Sequence, residues 1–177
     1  IKWNYKAMSR NPNITWDIII KNKYINWDFS YMSINPNITW DIISDNLDYP
    51  WNWYFVSNNP NITWDIISHN LKYDWHWYSI SKRDIITFDI VKDHSNLPWD
   101  YNGLTYNPNI SWDIIKNNID YPWDFFYISN NFKVEFDIIK KYPKHNLAWK
   151  ILGAIKRQQG LKLDELKANI MAVKLLE

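Results

Sequence analysis

The chain has 177 residues, with 20 basic and 19 acidic side chains and a formal net charge of +1, so no chain-wide field points to nucleic acid or an anionic membrane. Cysteine is absent, which excludes disulfides, thiolate zinc sites and cysteine nucleophiles, and no apolar run approaches the ~18 residues of a membrane span. Thirteen Trp and twelve Tyr are too many for scattered surface positions and predict a buried aromatic core or a strongly aromatic face.

From the N-terminus, which opens as IKWNYKAMSR with neither an initiator Met nor a signal-peptide pattern, one phrase returns at a fixed interval. Trp16, Trp40, Trp64 and Trp112 sit in copies of N-P-N-I-[T/S]-W-D-I-I, and Phe88 and Phe136 hold the same place in two degraded copies. The period is 24 residues, which means an array of one supersecondary unit. A second series runs in phase: Trp3, Trp27, Trp51, Trp75, Trp99 and Trp123, opening segments such as PWNWYFVS.

Each unit reads as two short helices. Asn35-Pro36 stops the preceding element, because a residue before proline is pushed out of the helical region. Thr39 then supplies an N-cap hydroxyl, Asp41 at the second helical position complements the dipole, and Ile38 and Ile43 are spaced for a hydrophobic staple. The same pair recurs as Ile14/Ile19, Ile62/Ile67, Ile86/Val91, Ile110/Ile115 and Val134/Ile139. This first helix is expected to end near Asn46. The second is expected to start at Pro50-Trp51, with the residue before each Trp (Asn26, Pro50, Asp74, Pro98, Pro122) as N-cap or first helical residue, and to close at Ser57. Two helices of about 7–9 residues and two loops of about four then fill the period. A β reading competes, since Ile, Thr, Trp and Tyr favour strands. Helix is preferred, because the capping and staple spacing repeat while strict alternation does not.

A helix of eight residues is not stable alone, so each unit must stack on its neighbours. The expected fold is all-α: an α-solenoid of 24-residue two-helix repeats over residues 1–152. After Gly153 the composition changes, with no aromatic residue through to Glu177. Residues 153–177 are expected to form an amphipathic helix. It places Leu163, Leu166, Ile170 and Val173 on one stripe that caps the last repeat; the alternatives are an oligomerisation element or an appended sequence.

The tandem NPNITWDII / PWNWYFVSNNPNITWDII units resemble a family of tryptophan-rich repeat proteins of giant DNA viruses of the mimivirus kind, over about residues 3–152. An AT-rich codon flavour (Asn, Ile, Lys, Tyr) agrees with it. The family is one of unknown molecular function, so the resemblance implies a repeat protein and carries over no catalytic residue. Copy four (Arg83-Asp84-Ile85-Ile86-Thr87-Phe88-Asp89) and copy six (Asn131-Phe132-Lys133-Val134-Glu135-Phe136-Asp137) depart from the phrase by losing the Asn-Pro stop. Residues 153–177 lie outside the resemblance.

No constellation of chemistry stands out. Asp17, Asp41, Asp65, Asp89, Asp113 and Asp137 form one Asp per unit. They read as helix-start residues rather than a catalytic pair, which needs two carboxylates in different environments. Asn13, Asn37, Asn61 and Asn109 open glycosylation triplets but do turn and cap work. His69, His76, His94 and His145 have no metal-ligand spacing, and no glycine-rich phosphate loop exists. No enzyme, metal or cofactor is expected.

The expectation is a non-enzymatic scaffold for protein–protein interaction, intracellular (host cytoplasm or virion) and neither secreted nor membrane-bound. Constant positions build the stack, so specificity should lie where the copies differ: the column Arg10, Ile34, Asn58, Lys82, Tyr106 and Asn130. Two alternatives remain open. One is nucleic-acid or anionic-ligand binding through the basic patch Lys140, Lys141, Lys144, Lys150, Lys156 and Arg157. The other is a structural role in a virion or particle, by self-association of arrays or of their C-terminal helices.

Overall fold

A computed structural model describes residues 4–124 and 127–128. Among these residues there is no strand and there are ten short helices: α1 (Tyr5–Arg10), α2 (Trp16–Lys21), α3 (Phe29–Met32), α4 (Trp40–Asp45), α5 (Trp53–Val56), α6 (Trp64–His69), α7 (Trp77–Lys82), α8 (Phe88–Asp93), α9 (Tyr101–Thr105) and α10 (Trp112–Asn117). The all-helical expectation holds there. The even-numbered helices start on the NPNITW phrase, and the odd-numbered ones follow the second Trp series. The helices have four to six residues, shorter than the seven to nine expected.

For the second helix of each unit the reason is where it begins. Its N-cap is the residue after the Trp, not the one before it. Asp28, Asn52, Asp100 and Asp124 accept the N–H of Tyr31, Phe55, Gly103 and Tyr127 at 3.2, 3.2, 2.8 and 3.1 Å. His76, expected inside its helix, does the same job for Ser79 through Nδ1 at 3.3 Å. The Trp itself stays outside the helix, where its Nε1 donates back to the carbonyl closing the first helix. Trp27, Trp51, Trp75, Trp99 and Trp123 reach Asn22, Asn46, Asn70, His94 and Asn118 at 2.7–3.1 Å. A terminal carbonyl with no helical partner is thus satisfied by an indole. First-helix starts follow expectation: Thr39, Thr63, Thr87 and Ser111 cap the third helical N–H at 3.3–3.4 Å, whereas Thr15 makes no such bond.

The core consists of columns that repeat once per unit. Ile19, Ile43, Ile67, Val91 and Ile115 come from first helices; Met32, Val56, Ile80, Leu104 and Ile128 from second helices; Ile38, Ile62, Ile86 and Ile110 from the staple. Trp27, Trp51, Trp75, Trp99 and Trp123 complete it, none more than 8% exposed. The first Trp series is only half-buried. Rings of the two series meet across units: Trp16 lies 5.8 Å from Trp51, Trp40 5.8 Å from Trp75, Trp64 5.4 Å from Trp99, and Phe88 6.1 Å from Trp123. A stacked pair closes three of these clusters: Phe29–Tyr49, Trp53–Tyr73 and Tyr101–Tyr121, at 4.9, 4.9 and 5.0 Å. Aromatic pairs in such geometry contribute ~0.5–1.5 kcal/mol beyond their buried area.

Candidate functional site

The asparagines of the repeated phrase and the hydroxyl residue near the end of each second helix join one unit to the next. The hydroxyls of Ser9, Ser33, Ser57, Ser81 and Thr105 accept the backbone N–H of Asp28, Asn52, His76, Asp100 and Asp124 at 2.9–3.0 Å, nineteen residues on in every case. The first Asn of the later phrases (Asn35, Asn59 and Asn107) reaches back about one period. Asn59, fully buried, donates from Nδ2 to the carbonyls of Ser33, Asn35 and Ile38 at 2.9, 3.4 and 3.1 Å. Asn35 does the same to Ser9, Asn11 and Ile14, and Asn107 to Ser81, Arg83 and Ile86. Three carbonyls on one amide are matched by the Asn oxygen, which accepts the N–H two residues later and fixes an Asx turn (Asn61 onto Asn59 at 2.9 Å). No buried side-chain nitrogen or oxygen lacks a partner among the described residues.

Copy four substitutes Arg83 for this Asn. Its guanidinium donates to the carbonyls of Ser57 and Asn59 at 3.1 and 3.2 Å. Burial lowers its pKa from the ordinary value, and the nearby Asp84 carboxylate opposes that shift. A cation kept off a carboxylate and placed on two carbonyls does structural work.

Three of the four glycosylation triplets, those of Asn37, Asn61 and Asn109, take part in the same joint. Nδ2 of Asn61 donates to Pro36 and Ile38 at 2.7 and 3.1 Å, and Nδ2 of Asn109 to Asp84 and Ile86 at 2.5 and 3.2 Å. Asn37 bonds Pro12 and Ile14 in the same way. A glycan on any of these nitrogens would break the bond to the preceding unit. Asp17, Asp41, Asp65, Asp89 and Asp113 lie exposed in the first turns of their helices. Asp89 pairs with Lys92 at 2.7 Å, and Asp113 pairs with Lys116. His69 sits at its helix end, 2.8 Å from the Asp65 carbonyl, and His94 packs 5.1 Å from Trp64. Among the described residues, no three His, Asp or Glu converge as metal ligands, and no helix is long and apolar enough to cross a membrane.

The variable column lies where second helices end. Arg10 and Lys82 are exposed, and Ile34, Asn58 and Tyr106 are half-buried. Its members do not gather into one cluster. Asn58 donates to Ser79 Oγ in the next unit at 2.8 Å, and Lys82 stands 5.6 Å from the ring of Tyr106. Asn130, the basic patch (Lys140, Lys141, Lys144, Lys150, Lys156, Arg157), copy six and the 153–177 helix lie outside the described residues.

Beside this column runs a row of rings on the second-helix side. Lys6 Nζ stands 4.7 Å from Tyr31, and Tyr31 lies 5.7 Å from Phe55, which is 5.2 Å from Tyr54. Tyr54 meets His76 at 4.8 Å, and His76 meets Tyr78 at 6.3 Å. Tyr106 and Tyr127 continue the row 3.8 Å apart. Lost solvation first, then the charge of Asp124 and the proximity of Tyr78 and Tyr127, raises the Tyr106 phenol pKa from its ordinary value. Tyr54 is 50% exposed and Tyr78 37%. The signal in the sequence was the doubled aromatic after the second Trp (Trp53-Tyr54-Phe55), since a helix that buries Trp53 and Val56 must turn the residues between them outward. Comparison of the chain with family models, with curated proteins and with solved structures finds no match.

Proposed function

We propose that the chain is a non-enzymatic α-solenoid, of the giant-virus-like repeat kind its phrases resemble, that serves as a scaffold for protein–protein interaction. The observation that carries this reading is the division of labour within each unit. The recurring Asn and Ser residues bond the neighbouring unit, and the buried Trp bonds the first helix of its own unit while its ring packs on the unit before, so they are not free to act on a ligand. The residues that change from copy to copy lie on the second-helix side, where Arg10, Tyr54, Tyr78 and Lys82 are exposed. A stack with constant joints and a changing outer surface is how repeat arrays present an extended binding face.

The test replaces Ile34, Asn58, Lys82 and Tyr106 together by Ala. Affinity purification identifies what the native array retains from cells that express it. The variant is expected to keep its helical circular dichroism and lose that protein. Retention of the same protein at the same yield would remove the column from the binding face and the scaffold reading with it.

A further inference from the structure

The joint between units recurs along the chain, and the first unit displays one half of it with nothing opposite. In later units the staple residues Ile38, Ile62, Ile86 and Ile110 and the second-helix residues Met32, Val56, Ile80 and Leu104 are at most 2% exposed. Their equivalents one period before the first of each series, Ile14 and Met8, are only half-buried. The phrase asparagines differ in the same way. Asn35 and Asn37 give their amide hydrogens to the carbonyls of Ser9, Asn11, Pro12 and Ile14. Asn11 and Asn13 stand one period earlier and are exposed, and their Nδ2 groups meet no acceptor among the described residues. Yet Asn11 Oδ1 already accepts the Asn13 N–H at 2.9 Å, as Asn35 accepts that of Asn37 at 2.9 Å. The turn that holds a donating Asn is therefore formed in advance, which lowers the cost of docking. Unused amide donors beside two incompletely covered apolar side chains complement one thing that the repeat itself supplies, the carbonyl row of a unit. In sequence, the last copy of the phrase (131–137) is followed one period on by Ile155 and Arg157, so the register provides no asparagine pair for that copy.

We propose that this leading face docks a second copy of the chain head to tail, with the carbonyls of the copy's last repeat accepting from Asn11 and Asn13 as those of the first unit accept from Asn35 and Asn37. Two leading faces do not pair in this way, because each brings amide donors where the other needs acceptors. The contact is heterologous, so it propagates along a line of copies instead of closing at two. It uses the end of the array and not the variable column, so its failure leaves the scaffold reading standing.

The experiment is sedimentation velocity of the full chain over a range of concentrations up to about 500 μM. The expected result is an average mass that climbs past the dimer as concentration rises. Asn11→Asp with Asn13→Asp keeps the oxygen that accepts in the turn but replaces both donors by carboxylates, which only accept. That pair is expected to weaken association at least ~tenfold, about 1.4 kcal/mol, with unchanged melting. Asn96→Asp with Asn102→Asp adds the same charge at exposed positions away from the face and should leave association intact. Should the first pair unfold the chain, Asn13→Asp alone takes its place, since that side chain bonds nothing within its own unit. A chain that stays monomeric at about 500 μM, as it will if its own C-terminal residues cover the last repeat, overturns the proposal. So does a mass that stops at two copies, association that survives in the folded leading-face variant, or an equal loss in the Asn96 and Asn102 variant.

Discussion

The unit joint built on Asn59 and the joint built on Arg83 meet the same three-carbonyl arrangement with different chemistry. Asn59 is fully buried and serves three carbonyls, while the second Asn of its phrase, Asn61, adds two bonds more. Arg83 is half-buried and serves two, and Ile85, standing where Asn61 stands a unit earlier, has no amide to add. Copy four changes further. His94 replaces the Asn whose amide folds back onto its own helix elsewhere, as Asn70 does onto Ile66 at 2.9 Å. Phe88 replaces a Trp, and Gly103 replaces the residue equivalent to Phe55. There α7 and α9 come so close that a Cβ on Gly103 would lie 2.6 Å from the Tyr78 carbonyl oxygen and 3.0 Å from Ser81 Cβ. The lesson is that the fixed element of the joint is the row of backbone acceptors. Any donor of the right reach can serve them, and a looser polar joint can coexist with closer helix contact.

The comparison can be broken from its strongest point downward. Trp75 is 5% exposed and bonded through Nε1, so Trp75→Ala should cost about 3–5 kcal/mol in urea unfolding. The half-buried Trp64 should cost less under the same treatment, and equal losses would refute the assignment of the core to the second series. Asn59→Ala strips a donor from three buried carbonyls and is expected to lose about 2–3 kcal/mol. Arg83→Ala should lose about half of that, because water reaches its site. If the two prove equal by thermal melting, the contrast between the joints is wrong. Gly103→Ala should destabilise by about 1–3 kcal/mol through overpacking against the α7 backbone; a neutral result would mean that α7 and α9 separate freely. The smallest contrast lies in the caps: Thr63→Ala should cost about 1 kcal/mol and Thr15→Ala close to nothing, because only Thr63 bonds its third helical N–H, at 3.3 Å.

Much of the fold was legible because its signals are local. A hydroxyl before Trp-Asp and an isoleucine pair five residues apart are short-range grammar, and the first helices begin where that grammar puts them. The start of the second helix was misread for the same reason. Pro50 and Asp74 look like helix starters in isolation, yet the Trp after each gives its Nε1–H to the carbonyl that closes the first helix of its own unit, five residues back, and the second helix starts only beyond it. That indole bond is as short in sequence as the isoleucine pair, but no capping preference announces it. The candidate column lies at the ends of second helices, where its spacing puts it, while the ring row beside it was hidden among aromatics that alternate between buried and exposed within a single turn.

The order of residues by itself determined that this is a periodic, helical, aromatic chain, because period, caps and staples act over a few residues and need no partner to be recognised. Only the tertiary structure decided which aromatic series is buried, that the phrase asparagines bond the preceding unit, and which side of the helices is left to solvent. Those facts depend on atoms about one period apart meeting in space, and no local preference encodes such a meeting.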